Sequence, residues 1–262
     1  MVNKAALVDL VTNIILEELK KAERKQRKIP SADAARQEDR RIPGEDRQTP
    51  QADRQIPGEG AQIPRADKRV SRADRQIPVG VSNRHVHLSP GHVEILFGSG
   101  AQLTRSKELS QPGQYACQET LTLVGPKGVL EKVRVMGPAR EYTQVEISVS
   151  DCFKLGIQAP IRDSGDLECS AGITVVGTVG SVTIFQGCII ARRHIHMHTG
   201  DAARFCLKDG DRVAVRAHGP RGVTYSDVLV RVSDKYRLEM HVDLDEANAV
   251  GLNNGDLVEI LC

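Results

Sequence analysis

An internal repeat centred on histidine constrains this chain more than any other feature of its 262 residues. The phrase RHVHLSPGHV at residues 84–93 returns as RHIHMHTGDA at residues 193–202. A longer match then links HMHTGDAARFCLKDGDRV, from His196, to HVDLDEANAVGLNNGDLV, from His241. The shared unit is a strand ending in histidine, a short helix, a Gly-Asp turn and another strand. Such self-similarity indicates duplicated structural units.

The units that this repeat describes are mainly β. Aromatic residues make up 3% of the chain and tryptophan is absent, so Val, Ile and Leu must build the core, and these residues suit pleated sheets. Residues 77–262 form short β-rich segments separated by Gly and Pro, with helical character after His87 and after His196. Closely spaced strands with turn signals favour a sandwich or a barrel.

The N-terminal part of the chain has a different pattern. Residues 2–26 place apolar side chains at three- and four-residue steps, which predicts an amphipathic helix. Such a helix is marginal alone and needs a partner surface, either its own globular domain or another protein. Residues 27–76 repeat phrases such as RQTPQAD and RQIPGEG, and their prolines exclude a coiled coil. With few large apolar groups they are predicted to be a disordered tether, which favours docking to another protein.

Composition also limits the partners and the compartment that we expect. The net charge of +2, from 36 basic and 34 acidic residues, gives no electrostatic footprint for nucleic acid or for anionic membrane. No apolar run approaches the roughly 20 residues of a membrane span, and no signal peptide is evident. The six cysteines form no CxxC pair, which is typical of isolated reduced thiols. We therefore expect an intracellular protein.

The spacing of the histidines predicts a metal site. On a strand, residues i and i+2 face the same side, so His85 and His87 present two imidazoles to one surface, as do His194 and His196. His241 has the equivalent position in a related unit, and the five histidines can converge at one seam. Imidazole binds Zn and also Fe, Co or Ni. The alternative is a set of ordinary surface histidines.

A carboxylate is expected beside so many imidazoles. Glu146 lies in TQVEISVS, an alternating segment predicted to be a strand with Glu146 and Ser148 on the side opposite the apolar residues. Glu119 in QYACQET is the second candidate, and for both residues the alternative is a solvated strand glutamate. His198 would share a face with His194 and is a spare ligand.

Several motifs in order resemble the PduL-type phosphate propanoyltransferases, the phosphotransacylases of bacterial microcompartments. They are PVGVSNRHVHLS, the GPAR segment followed by TQVEIS, residues 150–156, RDSGDL, GCIIARRHIHM and HVDLDEANA-G. The similarity covers essentially all of residues 77–262. The sequence departs from the family pattern at His198, where a small polar residue is expected, and in its long repetitive tether.

The resemblance implies a mainly β fold of two small β-barrel domains with short capping helices. The first barrel would comprise residues 77–190 and the second residues 191–262, with strand exchange between them. The tether, residues 27–76, and an amphipathic helix, residues 1–26, would precede them, the helix serving as an encapsulation peptide.

The resemblance also implies a two-zinc site with assigned ligands. His85 and His87 would hold one zinc ion, and Glu146 would be shared between the two ions. Arg140, in the GPAR turn, would bind phosphate. The remaining zinc ligands would be His194, His196 and His241.

The activity implied is reversible transfer of an acyl group, propanoyl foremost, from acyl-CoA to inorganic phosphate, giving acyl phosphate and free CoA. The enzyme would lie in the bacterial cytoplasm inside a propanediol-degrading microcompartment. Residues 2–26 would dock on a shell or lumen protein. The sequence does not decide whether the protein forms a homo-oligomer. The competing interpretations are a metal-dependent hydrolase and a non-catalytic, zinc-stabilised microcompartment scaffold.

Overall fold

Residues 75–261 are described by the computed structural model. The helix predicted over residues 1–26 lies outside the described residues, and so does the predicted tether up to residue 74. Gln76, at the end of the predicted tether, already begins the first strand.

The described residues form fourteen strands and four short helices. The strands are β1 (Gln76–Ser82), β2 (His85–His87), β3 (Arg105–Glu108), β4 (Tyr115–Val124), β5 (Val129–Gly137), β6 (Gln144–Glu146), β7 (Ile161–Arg162), β8 (Ala171–Val176), β9 (Ser181–Ala191), β10 (His194–Met197), β11 (Arg212–Ala217), β12 (Val223–Val232), β13 (Glu239–Asp243) and β14 (Leu257–Leu261). The helices are α1 (Pro90–Phe97), α2 (Val149–Leu155), α3 (Thr199–Phe205) and α4 (Leu244–Val250). None of the helices in this part of the chain has the length and apolarity to cross a bilayer.

The strands close into two six-stranded barrels. In the first barrel the order is β4-β5-β2-β6-β9-β8, and β8 pairs back with β4; β3 and β7 extend this sheet at β4 and β9. In the second barrel the order is β1-β13-β10-β12-β11-β14, closed by the pairing of β14 with β1. The predicted fold class, mainly β with two barrels and short helices, is confirmed for the described residues.

The two barrels match strand for strand. β2 lies between parallel β5 and antiparallel β6, and β10 lies between parallel β12 and antiparallel β13. β6 then has β9 as its parallel neighbour, whereas β13 has β1. β1 therefore occupies in the second barrel the place that β9 occupies in the first, and the chain changes barrel after each of these strands. As a division into domains, residues 77–190 and 191–262 stay a prediction.

The strand predicted over TQVEISVS is wrong in its second half. β6 ends at Glu146, and Ser148 is the N-cap of α2, where it forms a reciprocal capping box with Asp151. The capping box satisfies backbone amides that would otherwise lack partners, so it favours a helix start over a continued strand. Val149 is an apolar residue that a continued strand would turn toward the core, and on the helix it is 44% exposed.

Each barrel has its own apolar core, and each histidine strand contributes to it. Val86, between His85 and His87, is fully buried in the first core, and Ile195, between His194 and His196, is fully buried in the second. The alternation of β2 and β10 thus anchors one side chain inside a barrel and turns its neighbours to the other face.

Replacing Ile195 with alanine is expected to lower the free energy of unfolding by about 2–5 kcal/mol, because a fully buried aliphatic side chain leaves a cavity in a closed barrel. The matched control is Ile161→Ala on β7, where the side chain is 54% exposed and the loss should stay below about 1 kcal/mol. Urea unfolding followed by circular dichroism measures both. Equal losses in the two variants would contradict this assignment of the core.

Candidate functional site

A cavity of about 430 Å³ is lined by residues of both barrels. It is lined by all seven residues to which the family resemblance assigned a metal or phosphate role: His85, His87, Arg140, Glu146, His194, His196 and His241. Strands β2, β6, β10 and β13 supply the six proposed metal ligands, because each turns its apolar residues into a barrel and its polar residues toward the cavity.

The first cluster consists of His85, His87 and Glu146. One ligand atom from each of these side chains lies within 4.8 Å of the others, and all three residues are buried. Glu146 is directly opposite His85 in the β2–β6 ladder, and its Oε2 atom is 3.4 Å from His85 Nε2. The antiparallel pairing therefore brings the predicted carboxylate to the first histidine pair.

The second cluster consists of His194, His196 and His241, whose ligand atoms also lie within 4.8 Å of one another. His194 is directly opposite His241 in the β10–β13 ladder. His241 therefore has the position in the second barrel that Glu146 has in the first. The duplicated barrels thus carry two related donor sets, one of which has a carboxylate in place of an imidazole.

The first histidine of each pair is oriented by its own backbone. The Nδ1 atom of His85 lies 2.8 Å from the carbonyl oxygen of Asn83, and the Nδ1 atom of His194 lies 2.8 Å from that of Arg192. Because a carbonyl oxygen only accepts, each Nδ1 carries the ring proton and each Nε2 keeps a free electron pair. Such hydrogen bonds orient metal-binding histidines.

The donor atoms fit a divalent metal ion. The Nδ1 atoms of His87 and His196 are buried and have no hydrogen-bond partner among residues 75–261. Burial, and then the neighbouring charges, lowers the pKa of both His87 and His196 to about 2 and that of His194 to about 4. Neutral imidazoles held close together, with Nε2 of His194 only 3.1 Å from that of His196, suit a shared cation. Zinc favours such sets, although other imidazole-binding ions fit as well.

Glu146 is held by a hydrogen-bond network with Gln144 and Ser164, neither of which was predicted from the sequence. Gln144 donates from Nε2 to Glu146 Oε1 and also to Ser164 Oγ at 2.8 Å, and Ser164 donates to Glu146 Oε1 at 3.0 Å. Burial raises the pKa of Glu146, but electrostatic interactions with His85, His87 and Arg140 and the Ser164 hydrogen bond outweigh it and lower the pKa to about 2. Glu146 is therefore anionic at neutral pH.

Four arginines line the cavity, namely Arg84, Arg140, Arg192 and Arg231, and two of them contact Ser164. Arg140 donates from Nη1 to Ser164 Oγ at 3.4 Å, and Arg231 donates from Nη2 to the Ser164 carbonyl oxygen at 3.5 Å. Arg231 was not predicted, although it is opposite His196 in the β10–β12 ladder and faces away from the apolar residues of β12. Together the two side chains can bind an anion with several oxygens.

The arginine that precedes each histidine pair is a structural support. Arg84 makes two contacts with the carboxylate of Asp151, at 2.9 and 2.8 Å, and Arg193 pairs with Glu246. Asp151 and Glu246 lie at equivalent positions in the first turns of α2 and α4. Each RHxH phrase is thus fixed to the helix that follows its antiparallel neighbour strand.

The remaining sequence candidates lie elsewhere. Glu119 is half-buried on β4 and accepts from the backbone N–H of Thr104 at 3.1 Å. β10 ends at Met197, so the alternation stops there and His198 becomes the exposed N-cap of α3, accepting from Gly200 N–H. Within the described residues, Glu119 and His198 belong to neither ligand cluster.

The fold and the site define a double-barrel protein with two histidine-containing clusters in one cavity that arginines also line. Residues 78–253 match the family model described as phosphate propanoyltransferase. A phosphate propanoyltransferase of Thermotoga maritima is 57% identical over 184 residues, covering 70% of this chain and 88% of its own length. Those of Rhodobacter capsulatus and Clostridioides difficile are 56% and 48% identical, covering 70% of this chain and 85% and 88% of theirs. The chain therefore belongs to the phosphate propanoyltransferase family, and the resemblance found in its motifs is confirmed.

Proposed function

We propose that this protein transfers a short acyl group, propanoyl foremost, reversibly between coenzyme A and inorganic phosphate at a site that holds two zinc ions. The observation that carries the proposal is the meeting of two metal-ligand clusters and the guanidinium groups of Arg140 and Arg231 in one cavity. The family name supports the acyl group and the phosphate, and the chemistry of the cavity supports an anionic oxygen nucleophile.

The proposed ligand sets follow the two clusters. His85 and His87 would hold one ion, and the three histidines of the second cluster would hold the other. Glu146 would serve both, which is supported by its closeness to His85 and by its place in the same cavity as the second cluster. When bound, zinc supplies Lewis-acid stabilisation of the negative charge that develops during the transfer.

The reaction itself balances without a covalent enzyme intermediate. A phosphate oxygen attacks the thioester carbonyl carbon, a C–O bond forms and the C–S bond breaks. The leaving thiolate takes the proton that hydrogen phosphate gives up, which yields free CoA, and the other product is the acyl phosphate. Arg140 and Arg231 bind and orient the phosphate oxygens, which is mainly a positioning and electrostatic task.

The cavity offers apolar surface for a short acyl chain. Leu109 and Met136 line it together with the polar residues of the two clusters. These side chains can contact a few methylene groups and exclude water from the reacting carbonyl.

The experiment that tests the proposal follows free CoA released from propanoyl-CoA by the zinc-loaded full chain, with and without inorganic phosphate. Release that depends on phosphate is expected. Release at the same rate without phosphate would identify a hydrolase that activates water instead, and no release under either condition would favour a non-catalytic scaffold.

Replacing Arg140 with alanine is expected to lower kcat/KM for phosphate by roughly a hundredfold or more, because a charge-assisted contact to the nucleophile is lost. KM for propanoyl-CoA should change little. Arg140→Lys should restore only part of the activity, since an ammonium group cannot form the bidentate contact. The control is Arg204→Ala on α3, an exposed arginine paired with Asp201 of its own helix. Unchanged phosphate kinetics in Arg140→Ala would contradict the assigned role.

We also propose that residues 2–26 dock the enzyme on a shell or lumen protein of a bacterial microcompartment. The amphipathic pattern of this segment supports the proposal. A chain without residues 2–26 should keep its turnover and lose its association with isolated microcompartments. Undiminished association would exclude this role.

A further inference from the structure

We infer that Glu239 is a positioning residue that holds His241 in the orientation needed for the second metal ion. The inference rests on the proposed two-metal function and extends it beyond the six ligands. Glu239 lies at the start of β13, is only 8% exposed and has a side chain directed toward the cavity face of the strand.

The contacts of Glu239 converge on one oxygen atom. Its Oε2 lies 2.6 Å from His241 Nε2, accepts from Gln111 Nε2 at 3.2 Å and accepts from the Ser110 hydroxyl. Because an ionised carboxylate only accepts, the proton of the His241 ring is on Nε2 and the free electron pair is on Nδ1. A carboxylate that binds the far nitrogen of a histidine fixes its tautomer and its orientation for a metal.

The support of Glu239 comes from the other barrel. Ser110 and Gln111 lie between β3 and β4 of the first barrel, whereas Glu239 and His241 lie on β13 of the second. Gln111 is also bound to Arg237, donating to its carbonyl oxygen at 3.0 Å and accepting from its N–H at 3.2 Å. The first barrel therefore determines where a ligand of the second cluster points.

The duplication of the barrels gives an independent reason for this role. Glu239 is opposite His196 as Gln144 is opposite His87, so Glu239 and Gln144 occupy equivalent positions. Gln144 donates to Glu146, the third member of the first cluster, and Glu239 binds the third member of the second. In both barrels, the residue two before the third ligand supports that ligand.

The exchanged strand β1 leaves room for this pair. Gly80 is opposite His241 in the β1–β13 ladder, and a Cβ atom at Gly80 would lie 2.9 Å from Glu239 Cδ and 2.9 Å from His241 Cδ2. Real Cβ atoms essentially never approach so closely. Because Glu239 is held by three partners, a side chain at Gly80 would displace the carboxylate or the imidazole.

The test measures zinc directly, apart from activity. Wild type, Glu239→Ala and Glu239→Gln are loaded with zinc, and the ions per chain and their transfer to a chromogenic chelator are recorded. We expect Glu239→Ala to bind one of its two ions about ten- to a hundredfold more weakly, with the other ion unchanged. Glu239→Gln, whose amide oxygen can still accept from His241, should lose less. The control is Glu131→Ala, an exposed glutamate of β5.

The outcomes separate this inference from the proposed function. Two ions with wild-type release from Glu239→Ala would overturn the inference, and equal weakening of both ions with a lowered melting temperature of the metal-free protein would reduce Glu239 to a general structural role. A wild type that binds no zinc would overturn the two-metal proposal itself. If Glu239→Ala does not fold, Gln111→Ala replaces it, since this variant removes an anchor of the carboxylate and should release the same single ion faster.

Discussion

Removal of metal by a strong chelator will abolish phosphate-dependent CoA release while most of the β structure persists. Turnover should fall below detection, because Lewis-acid stabilisation of several kcal/mol is lost and each 1.36 kcal/mol is about tenfold in rate. The fold should survive, because each barrel closes around its own apolar core and the six ligands lie outside both cores.

The measurement combines an activity assay with far-ultraviolet circular dichroism on the same stripped sample. Adding zinc back is the control, and it should restore turnover without a change in the spectrum. Loss of the β spectrum on chelation would contradict the account and favour zinc as a purely structural element, as in proteins whose metal binding supplies folding free energy.

Replacing His194 with alanine will lower kcat by roughly a thousandfold, since one ligand of the second ion is removed and most of the charge stabilisation goes with it. His194 is buried, its Nδ1 is fixed by the Arg192 carbonyl and its Nε2 is directed at His196. No other histidine of the cluster can replace it, because His196 and His241 each already have a position of their own in the cluster, His241 on the neighbouring strand β13.

The matched control for His194→Ala is His198→Ala. His198 is a histidine of the same segment, but it is exposed and only caps α3. Its loss should cost about 1 kcal/mol of stability or less and leave kcat intact. Steady-state kinetics and the zinc content of the two variants show whether His194, but not His198, is needed for turnover and for metal binding. Similar losses in both variants, or an active His194→Ala, would contradict the assigned cluster.

The metal-ligand candidates could be predicted from the sequence because their arrangement depends on the alternation of side chains along a single strand. A strand turns His85 and His87 to one side whatever its neighbours are, and the repeat extends this to His194 and His196. Glu146 followed from the same reasoning, yet alternation alone could not separate it from Glu119. The pairing of β2 with β6 brings Glu146, and not Glu119, to His85, and the pairing of distant strands has no local signature in the sequence.

The residues that support the ligands could not be predicted, because their contacts also join parts of the chain that are distant in sequence. Gln111 meets Glu239 across the two barrels, and Ser164 meets Glu146 through a loop. The crossing of the chain between the barrels after β1 and after β9 has no local signature either, and only the family resemblance implied a strand exchange. The start of α2 is different, because Ser148 and Asp151 form a capping signal that is readable in the sequence and that the alternating pattern concealed.

Acyl transfer to phosphate is tested most directly by phosphorus nuclear magnetic resonance of the zinc-loaded full chain with propanoyl-CoA and inorganic phosphate. We expect an acyl phosphate signal that grows in step with free CoA and declines when CoA is added in excess, as reversibility requires. Release of CoA with propanoate as the only acyl product, and no acyl phosphate signal, would contradict acyl transfer to phosphate and identify the cavity as a hydrolase site.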